Sequence, residues 1–480
     1  MPAAVRARAW SAAHADAAQL ARLTKELRER GAMTSAIKLV PSPETGGVAA
    51  RAAQALGPGA PFMTVPLECA ITPAVTLDVR NGPFAALARS LHACGVPARL
   101  RATARTDCVA GTLDAGLGAW GEALPVSAGG LAGVTAADSP LLAIALVAAR
   151  FGGSACADPL LRRYARSMGS VACSPIMWPS SDLELLQGSP THAAAIGIRK
   201  LVDSEFDCLR TFAERAAPWL TAERYHAARV LVAHRRFAFP DDGESRVGLV
   251  PGADAVDSHP AWPRAATTRT APGHDAVVLS VGDEEVAEDS PLFFSYTDER
   301  AGPCLVAHGF VPGDGDTHIA WVPLSLEGLW SSERDAADAL LARGVLRDAT
   351  TGPADASASL IPAATDGWDA LLGGGHPLTV ELHTAFDASE TQCVPSAWDN
   401  APEWPAAAHA LASALAPATV SPEDALRSAI DDAVAAYPHR DWAEEMDKRR
   451  CDGDSAMRVG LARRVVGGEL ACLAAHRSSL

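Results

Sequence analysis

From Ser174 to Ser189 the chain reads SPIMWPSSDLELLQGS, which is the stretch of the sequence with the most distinctive local pattern. A tryptophan flanked by prolines predicts an anchored loop. The run that follows predicts a helix that Ser181 or Asp182 could cap and that stops near Gly188. Residues of this kind pack, so we expect the stretch to fix its neighbours in place and to carry no chemistry itself.

The regions around this stretch predict helices, and the regions beyond them predict strands. Apolar residues recur at helical spacing in three runs, which are Pro140–Arg150, Ala194–Ala217 and Thr221–Arg235. Runs rich in β-branched and aromatic residues lie on either side, at Ile37–Val40, Met63–Pro66, Ala276–Val281 and Leu292–Tyr296. The pattern predicts one β-rich domain that is interrupted by helices.

The C-terminal third lacks strand patterns after about Val322 and has clear helix signals. Ser331 could cap a helix that ends near Gly344, and Ser421 followed by Pro422 is typical of a helix start. We therefore predict an α+β protein. Its parts are an N-terminal helix (residues 1–32), a β-rich domain (33–325) with a helical insert (about 140–236), and an all-helical C-terminal domain (326–480).

Composition limits the classes of partner. The 480 residues carry a net charge of −16 and are 48% hydrophobic but only 5% aromatic, and no stretch is apolar for the roughly 18 residues that a membrane span needs. No cluster of more than three Lys and Arg residues is present to neutralise phosphates. We therefore expect no nucleic acid and no membrane, and a basic protein partner would suit the negative charge.

Cysteine usage and the N-terminus bear on the compartment. The ten cysteines include no C-x-x-C pair, so neither a zinc ribbon nor a disulfide framework is indicated, and a reducing compartment, cytoplasmic or nuclear, is expected. Arg6 and Arg8, with no acidic residue before Asp16, resemble an organelle transit peptide. The stretch Ala12–Arg30 fits an ordinary amphipathic helix better.

Four segments of the chain follow one another in a recognisable order. They are the turn Glu44-Thr45-Gly46-Gly47-Val48, the stretch Ser174–Ser189, the run from Tyr225 to His259, and the run from Phe293 to Val311. Their order and spacing resemble those of SET-domain protein methyltransferases of the Rubisco large-subunit methyltransferase type. The second segment is similar to that family's "P-x-x-W … E-L-x-x-L-x-G-S" signature in the insert.

The resemblance implies a site for S-adenosylmethionine. Arg235 matches the arginine of the family's "S-R-x-F" motif, and Leu249–His259 resembles its "L-V-P-x-x-D-x-x-N-H-S" strand. The Asn-His pair is replaced by Asp257-Ser258, with His259 one place later. The cofactor-binding residues that the resemblance implies are Glu44, Gly46, Gly47, Arg235, Asp254, Asp257, Ser258, His259 and Phe310.

The fourth segment implies the catalytic residue. Tyr296 falls on the catalytic tyrosine of the family's "I-S-Y-G … Y-G-F-V" pattern, while Thr297 replaces the glycine and His308 a frequent second tyrosine. The implied reaction is methyl transfer from S-adenosylmethionine to a protein nitrogen, with lysine and histidine both open as acceptors. The helical C-terminal domain would then bind the protein substrate.

Each of these residues also has a plain structural interpretation. Tyr296 could be a packing residue at a strand end, Arg235 a helix-terminal charge favoured by the dipole, and Asp254 a turn residue. His259, before Pro260, could lie in a surface loop. At the level of function, a non-catalytic SET scaffold that binds proteins is the main alternative, because the departures from the family's motifs gather at the site.

A metal-dependent hydrolase is a further alternative. It would use the residues His226, His234, His259, Asp254 and Asp257. Their spacing matches no established ligand motif.

Overall fold

A computed structural model describes most of the chain. The described residues are 17–41, 48–80, 82–100, 138–169, 171–241, 244–258, 267–270, 276–294, 301–311, 318–324, 378–387, 392–395, 422–449 and 452–479. The helices within them are α1 (Ala17–Glu29), α2 (Pro73–Leu77), α3 (Ala85–Ala93), α4 (Asp138–Phe151), α5 (Pro159–Ser167), α6 (Ser180–Leu183), α7 (Pro190–Ala216), α8 (Ala222–Arg235), α9 (Ala301–His308), α10 (Pro422–Ala435), α11 (Trp442–Lys448) and α12 (Gly453–Ser479). The strands are β1 (Ile37–Pro41), β2 (Val48–Ala52), β3 (Pro61–Pro66), β4 (Arg236–Asp241), β5 (Glu244–Leu249), β6 (Asp257–Ser258), β7 (Thr267–Thr270), β8 (Ala276–Ser280), β9 (Phe293–Phe294), β10 (His318–Leu324), β11 (Leu378–Asp387) and β12 (Gln392–Pro395).

The strands form several small sheets. Two hairpins, β1–β2 and β4–β5, are antiparallel, as is the three-stranded sheet β3–β8–β7. β3 and β8 pair although helices α4 to α8 lie between them in the chain. The short strands β6 and β9 pair in parallel, so residues 257–258 lie beside residues 293–294. The α+β expectation is confirmed.

Helix α4 lies at the centre of the core. Its residues from Leu141 to Ala149 are all buried, because an apolar side chain occupies every face of the helix. It contacts α5 and α8. Helix α1 contributes Leu20, Leu23 and Leu27, spaced at helical intervals, to the same hydrophobic core.

The stretch Ser174–Ser189 packs as the sequence predicts. Trp178 is fully buried, and its indole nitrogen donates to the Cys173 carbonyl at 3.1 Å. Arg199 on α7 donates to the carbonyls of Pro175 and Ile176 at 2.8 and 2.7 Å. The predicted capping by Ser181 or Asp182 is wrong: α6 has Pro179 at its N-cap and no side-chain cap.

Asp182 joins this stretch to the C-terminal helices instead. Its buried carboxylate accepts a hydrogen bond from Arg458 on α12 at 2.8 Å, and Ser455 and Arg449 lie at 3.3 and 3.4 Å. The position was ambiguous in the sequence because an acid near a helix start can cap its own backbone or reach a distant cation.

Gly188 and Ser189 make the second half of this interface. Gly188 has a φ of +92°, and a Cβ there would lie 2.8 Å from the carbonyl oxygen of Ala436. Ser189 caps α7, accepting from Thr191 N at 3.0 Å, and donates to Glu469 of α12 at 2.8 Å. A glycine and a small hydroxyl residue therefore let the insert approach the C-terminal helices closely.

The C-terminal region is not all-helical, so that prediction is wrong. Strands β10, β11 and β12 form an antiparallel sheet, with Trp321 opposite Glu381 and Phe386 opposite Cys393. Residues 378–387 include Thr, Val and Phe, which favour pleated backbone when partner strands are present. The predicted helix from Ser331 to Gly344 lies outside the described residues. Among the described helices, none combines the length and apolar character that a membrane crossing requires.

Glu469 makes the stability of this interface depend on pH. Both of its hydrogen-bond partners, Ser189 and Tyr437, are neutral hydroxyls, at 2.8 and 3.1 Å. Burial raises its pKa from 4.5 to about 8. The folded chain therefore holds a proton that the unfolded chain releases between those two pH values, so the free energy of unfolding falls as pH rises through this window and levels off above it.

Replacing Glu469 with Gln should remove this fall, because an amide keeps the shape and the hydrogen bonds without ionising. Between about pH 5 and about pH 9 the native chain should lose on the order of 4 kcal/mol more stability than Glu469→Gln, measured by denaturant unfolding. Glu444→Gln, at an exposed position on α11, is the control and should keep the native pH dependence. Parallel curves for native and Glu469→Gln would contradict the assignment.

Candidate functional site

A buried ion pair joins the end of α8 to the turn after β5. Arg235, the last residue of α8, donates through Nη1 to the Asp254 carbonyl at 3.0 Å and to Oδ2 of the same residue at 3.1 Å. The Asp254 side chain is only 4% exposed, and that of Arg235 is 17% exposed. Two of the predicted cofactor residues are therefore in contact, and Arg235 is more than a helix-terminal charge.

The turn that carries Asp254 needs a glycine at its entry. Gly252 has a φ of +85°, and a Cβ there would lie 2.7 Å from Cε of Met63. The backbone then forms one turn of 3-10 helix at Ala253–Ala255. Strand β2, which begins directly after Gly47, contacts this turn.

Tyr164 is a third residue in contact with this ion pair, and the sequence patterns did not identify it. Its hydroxyl donates to Asp254 Oδ2 at 3.0 Å from the buried face of α5. Burial raises the pKa of Asp254, and the charge of Arg235 and the hydrogen bond from Tyr164 oppose that rise. The sequence around Tyr164 gives no signal of this contact, because a tyrosine on the apolar face of a helix is usually a packing residue.

The parallel pair β6–β9 brings two further predicted segments together. Asp257 lies opposite Phe293, and Ser258 lies opposite Phe294, two residues before Tyr296. The strand predicted to bind cofactor is therefore hydrogen-bonded to the strand that leads to the predicted catalytic tyrosine. Glu44, Gly46, Gly47, His259 and Tyr296 lie outside the described residues, and their roles stay predictions.

The ends of α8 and α9 contact each other. Gly309 has a φ of +77°, and a Cβ there would lie 2.7 Å from Cε1 of His234. The rings of His308 and Phe310 lie 6.1 Å apart, centre to centre. Phe310, the predicted aromatic wall, is therefore placed next to the residues that precede Arg235.

Both histidines at this junction are neutral at physiological pH. Burial lowers the pKa of His234 well below its usual value, and His308 and Arg235 lower it further. Burial also lowers the pKa of His308, and with the charge of Arg236 brings it to about 4. The junction therefore adds no imidazolium charge beside Arg235.

A metal centre does not form among the described residues, where no group of three His, Cys, Asp or Glu could hold an ion. His226 instead contacts Asp203 at 3.0 Å. It lies eight residues before His234 on the same helix, which is about 12 Å along the axis. Asp254 is already engaged by Arg235 and Tyr164.

Solved structures share this architecture. A structure of the SET domain of LSMT bound to lysine and AdoHcy aligns with a TM-score of 0.57 at 14% identity, over 96% of this chain and 90% of that one. Structures of Rubisco LSMT bound to AdoMet, and to sinefungin and monomethyllysine, align with TM-scores of 0.56 at 14% identity, over 96% of this chain and 91% of theirs. The chain has a SET-domain fold. No protein-family model matches it, and no curated protein matches its sequence.

The contacts described above lie together in one region of the SET fold. Arg235, the 253–255 turn, β6 and β9 belong to chain segments that are far apart in sequence and adjacent in space. With the His308–Phe310 segment they form the candidate site. What the site binds is a separate question from the fold.

Gly309→Ala tests the packing at this site. The left-handed backbone alone should cost about 1 kcal/mol, and the clash with His234 should bring the loss to on the order of 2–3 kcal/mol. Gly95→Ala is the matched control, since Gly95 has a φ of +65° and nothing within 4 Å of its Cβ position. Thermal or denaturant unfolding measures both losses. Equal losses would show that the contact between Gly309 and His234 is not tight.

Proposed function

We propose that the chain is an S-adenosylmethionine-dependent methyltransferase that modifies a protein, with a lysine side chain as acceptor. The observation that carries the proposal is the convergence of Arg235, the 253–255 turn and the β6–β9 pair in a fold shared with LSMT structures that hold AdoMet, AdoHcy, lysine or monomethyllysine. The resemblance of the sequence motifs supports the same assignment.

The residues at the site suit such a cofactor. A guanidinium suits a carboxylate in charge and geometry. Arg235 is partly exposed, and its Nη1 is the atom that donates to Asp254. Arg235 would hold the carboxylate of the cofactor. By the resemblance, Gly46-Gly47 and the backbone at Asp257–Ser258 would hold the rest.

The chain's own task is to present a neutral amine in line. S-adenosylmethionine, when bound, supplies a methyl group activated by a positively charged sulfur. A free lysine has a pKa of about 10.4, and removal of its ammonium from water lowers that value. Tyr296 would orient the amine through its hydroxyl, and Phe310 would supply an aromatic wall that tolerates positive charge. Neutral His234 and His308 add no repulsion to that charge.

The substrate is proposed to be a basic protein. The net charge of −16 attracts positively charged partners at long range. Residues 326–480 would recruit it, and the buried contacts of Asp182 and Glu469 hold the described helices of that region firmly against the insert. The recruiting surface would therefore keep a fixed position relative to the site.

Radiolabelled methyl transfer to proteins of a cell extract tests the proposal. The native chain should label protein, and Tyr296→Phe should lower the rate by a factor on the order of 100 or more, because the acceptor amine loses its orienting hydroxyl. Tyr225→Phe, which removes a buried hydroxyl between α7 and α8, is the control and should retain labelling. Absence of labelling with the native chain, together with no heat on titration with S-adenosylmethionine, would refute the proposed function.

A further inference from the structure

Helix α8 carries two arginines that are held in the same way. Arg235 is held by Asp254, whose Oδ2 also accepts a hydrogen bond from Tyr164 at 3.0 Å. We call these three residues the site cluster. A buried carboxylate thus bridges one tyrosine hydroxyl and one guanidinium.

A second cluster of an arginine, a buried carboxylate and a tyrosine is centred on Arg229, six residues before Arg235 on α8. Arg229 donates to Glu205 through Nε at 2.7 Å and Nη2 at 2.9 Å, and the Tyr225 hydroxyl donates to Glu205 Oε2 at 2.7 Å. We call these three residues the core cluster. Arg229 and Glu205 are only 4% and 5% exposed, so this cluster is enclosed by α7 and α8.

The two clusters differ in what the guanidinium can reach. Arg229 is enclosed and bound on two nitrogens by one carboxylate. Arg235 is 17% exposed, and it lies at the end of α8, where it contacts Asp254 in the turn that leads to β6. The enclosed core cluster serves packing, whereas the site cluster fixes a guanidinium that belongs to the candidate site.

We propose that Tyr164 is a positioning residue for cofactor binding: it fixes the Asp254 carboxylate, which in turn fixes Arg235. The inference rests on the proposed function. Without the hydroxyl, the buried carboxylate keeps Arg235 as its side-chain partner and the backbone contact with Gly252, but it loses one of the bonds that set its rotation. Arg235 then samples more orientations. Because binding must order it, the cofactor binds with a less favourable free energy.

Tyr164 is itself held from the other side of α5. Arg163 pairs with Glu26 of α1, with a 3.0 Å hydrogen bond from Nε. Asp158, which caps α5, accepts two hydrogen bonds from Arg30 at 2.6 and 2.8 Å. Helix α5, which carries Tyr164, is thus held against α1 and the residue that follows it.

Calorimetric titration of the full chain with S-adenosylmethionine tests the inference. Tyr164→Phe should raise the Kd about tenfold, whereas Tyr225→Phe should leave it within about twofold of native. The two changes delete the same kind of bond from a buried carboxylate, so both should lower Tm. With saturating cofactor, kcat should stay near the native value in both, because Tyr164 acts on binding.

A double-mutant cycle separates positioning from a general loss of stability. In the Arg235→Gln background, Tyr164→Phe should have no further effect on Kd, since its effect passes through Arg235. Asp254→Asn, which keeps the side-chain shape, provides a second variant with the same expected loss should Tyr164→Phe not fold.

The outcomes are distinct. If the native chain binds cofactor and Tyr164→Phe and Asp254→Asn bind as tightly, the positioning role is overturned and the proposed function stands. If the Tyr164→Phe loss persists undiminished in the Arg235→Gln background, the effect is a general structural one and the inference also falls. If the native chain shows no binding at all, the proposed function fails and the inference fails with it.

Discussion

The Asp254 carboxylate is the point at which distant parts of the chain are tied together. It accepts hydrogen bonds from Tyr164 on α5 and from Arg235 at the end of α8, and it belongs to the turn that leads into β6. A buried carboxylate that lost these partners would be costly, so each contact reinforces the others. The position of β6, and through its parallel pairing the position of β9, therefore depends on this one group.

The same principle operates at the boundary between the insert and the C-terminal helices. Asp182 and Glu469 are both buried acids, but they are satisfied differently: the first by the cation Arg458, the second by the hydroxyls of Ser189 and Tyr437. Glu469 has no cation beside it, and burial raises its pKa. One interface thus contains an ion pair and a contact whose strength depends on protonation.

Local sequence patterns predicted the helices and strands that depend mainly on residues close together in the chain. The helical run from Thr221 to Arg235 and the β-branched run of β8 are examples, and the structure confirms both. Contacts between distant residues were not predictable, since nothing in the sequence indicates that Tyr164 meets a carboxylate ninety residues later. The C-terminal sheet was missed because β11 becomes a strand only through pairing with β10 and β12. For the candidate site, the motif order predicted roles for Arg235 and Asp254, whereas their mutual contact is visible only in the fold.

The proposed cofactor site is the edge formed by Arg235, the 253–255 turn and the β6–β9 pair. Hydrogen–deuterium exchange with and without S-adenosylhomocysteine tests this location. Binding there should slow amide exchange at residues 250–258 and 292–294 and at the C-terminal end of α8, and should leave α12 unchanged. Protection confined to other regions, or no protection at a ligand concentration that saturates binding, would contradict it.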